Sequence, residues 1–145
     1  MILKKVSHEE IHQNEDIVRL ISYSIFQPTM GKIQTAAQSV YSKQQGIFYV
    51  GIENDVIVGV IGLRKVDNTK LEILHLAVDE KMRKRGFAKD MIKEAFFNDN
   101  VLMMSCESEH RTVRFYKNCG FKTQLIPNEM GIDRYMCTWT PKRAK

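Results

Sequence analysis

Apolar residues recur along the chain with two different spacings, and each change of spacing marks a new element. Ile2-Leu3-Lys4-Lys5-Val6 reads as a short first strand. Ser7 and Glu10 have the spacing of a capping box, so a helix is predicted to start there. Ile17, Val18, Leu20 and Ile21 give that helix its core-facing stripe. Pro28 and Gly31 break the chain before a second helix, predicted over residues 32 to 42. IFYVGI and VIVGVIGL then flank Glu53-Asn54-Asp55 as a β-hairpin. After the turn at Asp67-Asn68 comes LEILHLAV, apolar on both faces and therefore expected to be central. Ala88, Met91, Ile92, Ala95 and Phe96 recur at the spacing of a helix face. VLMMSC (101–106) reads as a buried strand, followed by a helix over 109–118 that ends in Cys119-Gly120, a left-handed C-cap. FKTQLI and IDRYMCTW close the chain as an antiparallel pair. The order β-α-α-β-β-β-α-β-α-β-β predicts an α/β fold, a mixed sheet with helices on both faces. Its one strand–helix–strand–helix stretch, 70 to 118, is where a ligand is expected, beyond the strand C-termini.

Bulk composition narrows the class. The chain has 145 residues, 43% hydrophobic and 27% charged, and is read as one globular domain over 1–145. No run of 18 apolar residues occurs, so no membrane association is expected, and MILKKVSHEE lacks the apolar core of a secretory signal. A cytoplasmic location follows as the expectation. Cys106, Cys119 and Cys137 contain no CxxC pair, so they are read as small buried side chains and no metal is assigned.

The formal net charge of +5 points to an anionic partner without naming it. Residues 81 to 89 hold five of the 22 basic side chains, while Lys142, Arg143 and Lys145 read as a solvated basic tail. In "RKRGFAKDMI", Arg83, Lys84 and Arg85 stand where a helix begins, at the positive end of its dipole, where added cations are unfavourable. Free N–H groups at such a helix start make an anion cradle, and Gly86 lets a ligand approach the backbone. A diphosphate accounts for the charge, and a solvated basic turn accounts for it equally on the local pattern alone. Neither the Walker A pattern nor G-x-G-x-x-G occurs.

Two longer stretches supply the context. "EILHLAVDEKMRKRGFA" resembles motif A of the GNAT (Gcn5-related N-acetyltransferase) superfamily: an apolar strand ending in Val78, then Arg83-x-x-Gly86-x-Ala88, then a helix. "RFYKNCGF" resembles the end of motif B, with Phe115-Tyr116 followed by Gly120-Phe121. The resemblance covers residues 47 to 125 in detail and the rest in outline. It implies a mostly antiparallel sheet split between the LEILHLAV and VLMMSC strands, with acetyl-CoA in the cleft as co-substrate. Amides of Leu76, Ala77 and Val78 would hold the acetyl carbonyl and pantetheine arm. Amides across Lys84, Arg85, Gly86, Phe87, Ala88 and Lys89 would take the pyrophosphate, with Arg83 beside them. Many members carry an Asn seven residues before the motif B tyrosine; Glu109 stands there in this chain and is not counted as a cofactor contact. Homodimers are frequent in the family and admitted here.

Acetyl transfer to an amine needs a neutral nucleophile, a stabilised oxyanion and a protonated leaving thiolate. The resemblance makes Tyr116 the acid, next to the thioester sulfur; its bland alternative is core packing beside Val113. Glu72 is the candidate base, a carboxylate on an apolar strand, six residues before Val78, where the protein-lysine-acetylating branch has its glutamate. The alternative for Glu72 is an exposed, idle place near the strand's start. His75 is the second candidate base and a water relay the third. Alternation puts His75 on the opposite face from Glu72 unless a bulge intervenes. Loops 26–31 and 126–133 are expected to select the acceptor, an amine on a small molecule or protein, through Phe26, Met30, Ile126 and Met130 as apolar walls, with Glu129 and Asp133 drawing an ammonium. A non-catalytic acyl-CoA-binding module is the alternative reading. Nucleic acid is disfavoured, since no RNP1-like motif or helix-turn-helix pairing is evident.

Overall fold

A computed structural model describes residues 1–129 and 131–141; Met130 and the basic tail Lys142, Arg143 and Lys145 lie outside the described residues. Seven strands form one sheet in the order β1-β2-β3-β4-β5-β7-β6. They are β1 (Ile2–Lys5), β2 (Gly46–Glu53), β3 (Val56–Asp67), β4 (Lys70–Val78), β5 (Met103–Glu109), β6 (Lys122–Ile126) and β7 (Arg134–Trp139). Every neighbouring pair is antiparallel except β4–β5. The predicted mixed sheet and its central apolar strand are both present, with β4 fourth of seven.

Strand alternation sorts the core into two layers. Phe48, Val50, Val60 and Ala77 face α1 (His8–Gln13), α2 (Glu15–Ser22) and α3 (Met30–Ala36) through Ile11, Ile17, Leu20, Ile21 and Ile33. Tyr49, Ile61, Leu63, Leu71 and Ile73 face α4 (Phe87–Asn98) and α5 (His110–Asn118) through Met91, Ile92, Ala95, Phe96, Val113 and Tyr116. Burying large side chains such as Phe48 and Phe96 on each face stabilises both layers, by about 1.5–3 kcal/mol per side chain. Among the described residues no helix is long and apolar enough to cross a membrane.

Three boundaries differ from the pattern-based reading. The first predicted helix is two, because the Asn14 side chain accepts from Asp16 N (2.9 Å) and Ile17 N (3.2 Å) and so caps a new helix. The second starts at Met30 rather than at residue 32, since Thr29 Oγ1 accepts from Lys32 N at 3.1 Å and draws Gly31 into the first turn. That helix ends in a π-helical turn, Ala37–Tyr41. β5 runs on past Cys106 to Glu109, because Glu107 and Glu109 face out from the strand while Ser108 is buried. The Cys119-Gly120 cap is as expected, with Gly120 at φ 99°.

Candidate active site

β4 and β5 pair only over Lys70–Glu72 with Met103–Ser105. Beyond that apex β4 continues to Val78 and β5 to Glu109, so one edge of β4 from Ile73 to Val78 has no strand beside it. Backbone N–H and C=O groups along such an edge need partners. The gap is a cleft of about 710 Å³, lined on its β4 side by Leu74, Leu76, Ala77 and Val78 and on its α5 side by Phe115 and Tyr116.

Past Val78, Asp79 caps a short 3₁₀ turn (Glu80–Met82) and the chain enters α4 through two left-handed residues, Lys84 (φ 67°) and Gly86 (φ 83°). Gly86 is the N-cap of α4 and no side chain caps that end. The first amides of the twelve-residue helix are thus open to the mouth of the cleft, which Lys84, Gly86, Phe87, Ala88 and Lys89 line. Arg83 lines the cleft as well, and Arg85 does not. Arg83 Nε donates to Val78 O at 3.1 Å and its guanidinium lies 5.2 Å over the Tyr23 ring, so it braces the loop. Arg85 is exposed and outside the cleft lining. Arg19 Nη1 reaches Asp79 at 3.1 Å and ties α2 to the same loop.

Tyr116 is buried among Phe115 and Phe121, with ring centroids 5.1 and 5.3 Å away. Burial first, then the neighbouring Cys106, raise the proton affinity of its hydroxyl far above that of an ordinary phenol. Tyr116 packs in the core and also lines the cleft.

Glu72 and His75 lie on the same face, contrary to plain alternation. Leu63 pairs with Ile73 and Gly62 with His75, which leaves Leu74 as an unpaired bulge and turns His75 to the side of Glu72. Glu72 stands at the apex of the split, opposite Ser105, and its carboxylate is ion-paired with Arg64 rather than lying idle. His75 Nδ1 lies 2.5 Å from Tyr41 Oη, and burial lowers its pKa from 6.5 to about 4. Neither side chain lines the cleft itself.

Several cleft residues carry no sequence signal of their own. Ser108 and Thr112 join hydroxyls at 2.6 Å where β5 passes into α5. Arg134 holds Glu107 at 3.2 Å and Glu109 at 3.9 Å, clipping β7 to β5 at the open end of the split. Glu109, set aside above, therefore forms part of the wall. The alternation of Glu107, Ser108 and Glu109 is the one local hint that the strand continues; Tyr23 and Arg134 are brought in by tertiary packing alone.

A mixed α/β sheet parted at its parallel pair, with an uncapped helix N-terminus at the mouth of the gap, has the form suited to an extended ligand with an anionic end. The chain belongs to the GNAT acetyltransferase family: residues 44–123 match the acetyltransferase (GNAT) domain. It is similar to the uncharacterized N-acetyltransferase YvbK of Bacillus subtilis (strain 168), 26% identical over 98 residues, and the match spans 63% of this chain and 63% of that relative's length. The fold is that of a GNAT family acetyltransferase from Elizabethkingia anophelis with acetyl-CoA bound (TM-score 0.68, 16% identity, covering 97% of each chain). The aminoglycoside 6'-N-acetyltransferase from Enterococcus faecium is also similar (TM-score 0.73, 14% identity, 99% of this chain and 100% of that one).

Proposed function

We propose that the protein is an N-acetyltransferase that moves an acetyl group from acetyl-CoA to a primary amine by direct transfer in a ternary complex. The observation that carries this reading is the unpartnered edge of β4 running from the Glu72 apex to the open N-terminus of α4. Residues there fit the co-substrate: amides of Leu76–Val78 for the acetyl and pantetheine end, and amides of residues 84–89 with Lys84 and Lys89 for the diphosphate. Acetyl-CoA, when bound, supplies an activated thioester. The β4 amides donate to the carbonyl oxygen as it gains charge. Tyr116 stays protonated in its buried site and so holds a proton for the departing thiolate. An alkylammonium ordinarily has a pKa near ~10.4, so a base must take its proton at neutral pH. Glu72, on the acceptor side of the sheet at the apex, is that base, and Arg64 fixes its carboxylate.

The test is CoA release from acetyl-CoA, followed by mass spectrometry, with pools of peptides, polyamines, amino sugars and aminoglycosides. One pool should accelerate release, and initial rates in both substrates should give intersecting rather than parallel lines. Tyr116→Phe should lower kcat by about 100-fold while the KM for acetyl-CoA stays within about twofold. Acetyl-CoA binding by calorimetry with no turnover in any pool would instead select the non-catalytic reading.

A further inference from the structure

Three separate departures from regular geometry converge on one hydrogen bond outside the cleft. The bulge at Leu74 turns His75 toward α3. The π-helical turn Ala37–Tyr41 carries Tyr41 to it, a kind of irregularity frequent at functional sites. Gly62 leaves room for the phenol, since a Cβ there would overlap Tyr41 Oη and stand 2.6 Å from Cζ. The outcome is Tyr41 Oη at 2.5 Å from His75 Nδ1.

This bond fixes the imidazole. Tyr41 is 7% exposed, and His75 Nδ1 is the acceptor the structure provides for its hydroxyl proton. Tyr41 O–H therefore donates to Nδ1, and the ring proton of neutral His75 sits on Nε2. An Nε2 that already carries hydrogen is not free to act as a base, so His75 is a donor. Nε2 makes no hydrogen bond to the described residues, yet it is not sealed in. Among them the one buried side-chain nitrogen or oxygen without a partner is His12 Nδ1.

His75 forms the floor of a groove of about 630 Å³ between α3 and the segment before it. Of the other polar side chains lining that groove, Thr29, Lys32 and Ser39 are spent internally, and the exposed Thr35 hydroxyl is the other group facing it. Thr29 Oγ1 accepts from Lys32 N, Lys32 Nζ donates to Phe26 O and Gln27 O at 2.7 and 2.9 Å, and Ser39 Oγ donates to Thr35 O at 2.7 Å. Chain neighbours of the groove residues line the cleft: Ser24 beside Ile25, and Leu74 and Leu76 beside His75.

We propose that His75, held as its Nε2–H tautomer by Tyr41, is a specificity-determining donor that takes an oxygen of the acceptor, so that the substrate is an oxygen-bearing amine, an amino sugar or a peptide amine, and not a simple polyamine. The inference rests on the acetyl-transfer reading for what occupies the groove.

The test pairs nuclear magnetic resonance with kinetics. Two-bond ¹H–¹⁵N spectra of ¹⁵N-labelled protein at pH 7 should show His75 as the Nε2–H tautomer, with that preference lost in Tyr41→Phe. An aminoglycoside or a tripeptide amide with a free N-terminus should move the Nε2 signal, and 1,4-diaminobutane should not; whichever of the first two moves it names the source of the oxygen. His75→Leu should raise the acceptor KM about 3- to 10-fold with the acetyl-CoA KM unchanged. His75→Gln, whose amide N–H stands near the place of Nε2, should recover most of the loss and guards against misfolding of the leucine variant. An Nδ1–H tautomer, an Nε2 signal unmoved by every oxygen-bearing amine, or a His75→Leu enzyme with unchanged acceptor KM overturns the proposal. A moved signal with no CoA release in any pool would support the donor and overturn acetyl transfer.

Discussion

One added methyl group at Gly62 measures how tightly Tyr41 is held. The new Cβ would overlap Tyr41 Oη, stand 2.6 Å from Cζ and stand 3.1 Å from Phe48 Cδ2. Tyr41 has nowhere to retreat, because its ring packs edge-on against Phe48 at 5.0 Å and Phe48 is 1% exposed. Overpacking of this kind costs about 1–3 kcal/mol, and displacing the phenol from His75 costs about 1 kcal/mol more. Replacing a strand glycine returns about 0.5–1 kcal/mol. Gly62→Ala should therefore lose about 2 kcal/mol, read as a lower urea midpoint with Trp139 fluorescence as probe and as a Tm lower by about 5 °C. In a Tyr41→Leu background the same change should cost close to nothing, a coupling of about 2 kcal/mol. Gly62→Ala within about 0.5 kcal/mol of the parent, or equal damage in both backgrounds, would refute the claim that Gly62 is spared for Tyr41.

The remaining predictions separate the loop's backbone from its charges and the imidazole from the carboxylates. Gly86 sits at φ 83° with open space around the place of a Cβ, so Gly86→Ala should cost only backbone strain, about 1 kcal/mol, and weaken acetyl-CoA binding in calorimetry without a clash. Lys84→Gly keeps the left-handed conformation and removes the charge; acetyl-CoA affinity should fall about 3- to 10-fold and depend less steeply on salt. His75 binds its proton in the unfolded chain below 6.5 but in the folded one only below about 4. Between those values the unfolded state holds more protons, so stability falls as pH drops from 6.5 to 4, by about 3 kcal/mol. His75→Gln should flatten urea midpoints across that window. Asp67 and Asp79, held below their usual range first by Thr69 and by the Lys81 amide, lose their contribution only at lower pH.

The fold was legible where local chemistry and hydrophobic period agreed. β4 announces itself by being apolar on both faces, α4 by its spacing, and the end of α5 by Gly120. The sequence also pointed to the cleft's two clearest residues, Gly86 at the helix entry and Tyr116 on its wall. What it did not reveal depends on partners distant along the chain. That Arg83 lies over the Tyr23 ring was not legible, because nothing local shows that Tyr23 lies beneath it. Glu72 looked like an isolated carboxylate because Arg64 meets it only through the β3–β4 register. Asn14 and Thr29 are of a type that caps helices, but the caps they form are seen only once the chain is folded.

The bulge at Leu74 explains why the two sides of β4 can do different work. Without it, register would send His75 into the α4–α5 layer beside Leu63 and Ile73, where an imidazole would have no phenol to hold it. With it, β4 below the bulge presents Glu72 to Arg64, and β4 above it presents His75 to Tyr41, both on the side of α1–α3. Bulges also bend a strand and strengthen its twist. This one lies two residues past Glu72, the last position at which β4 pairs with β5. The same extra residue therefore turns a polar side chain toward the groove beside α3 and bends β4 next to the point where the sheet parts. Deleting Leu74 should make Ile73 and His75 successive partners of Leu63 and Gly62, so His75 keeps its face while the bend is lost and the gap at Leu76–Val78 narrows. A deletion variant that folds and still binds acetyl-CoA with the parent's affinity would separate the two roles and leave the split to the loops alone.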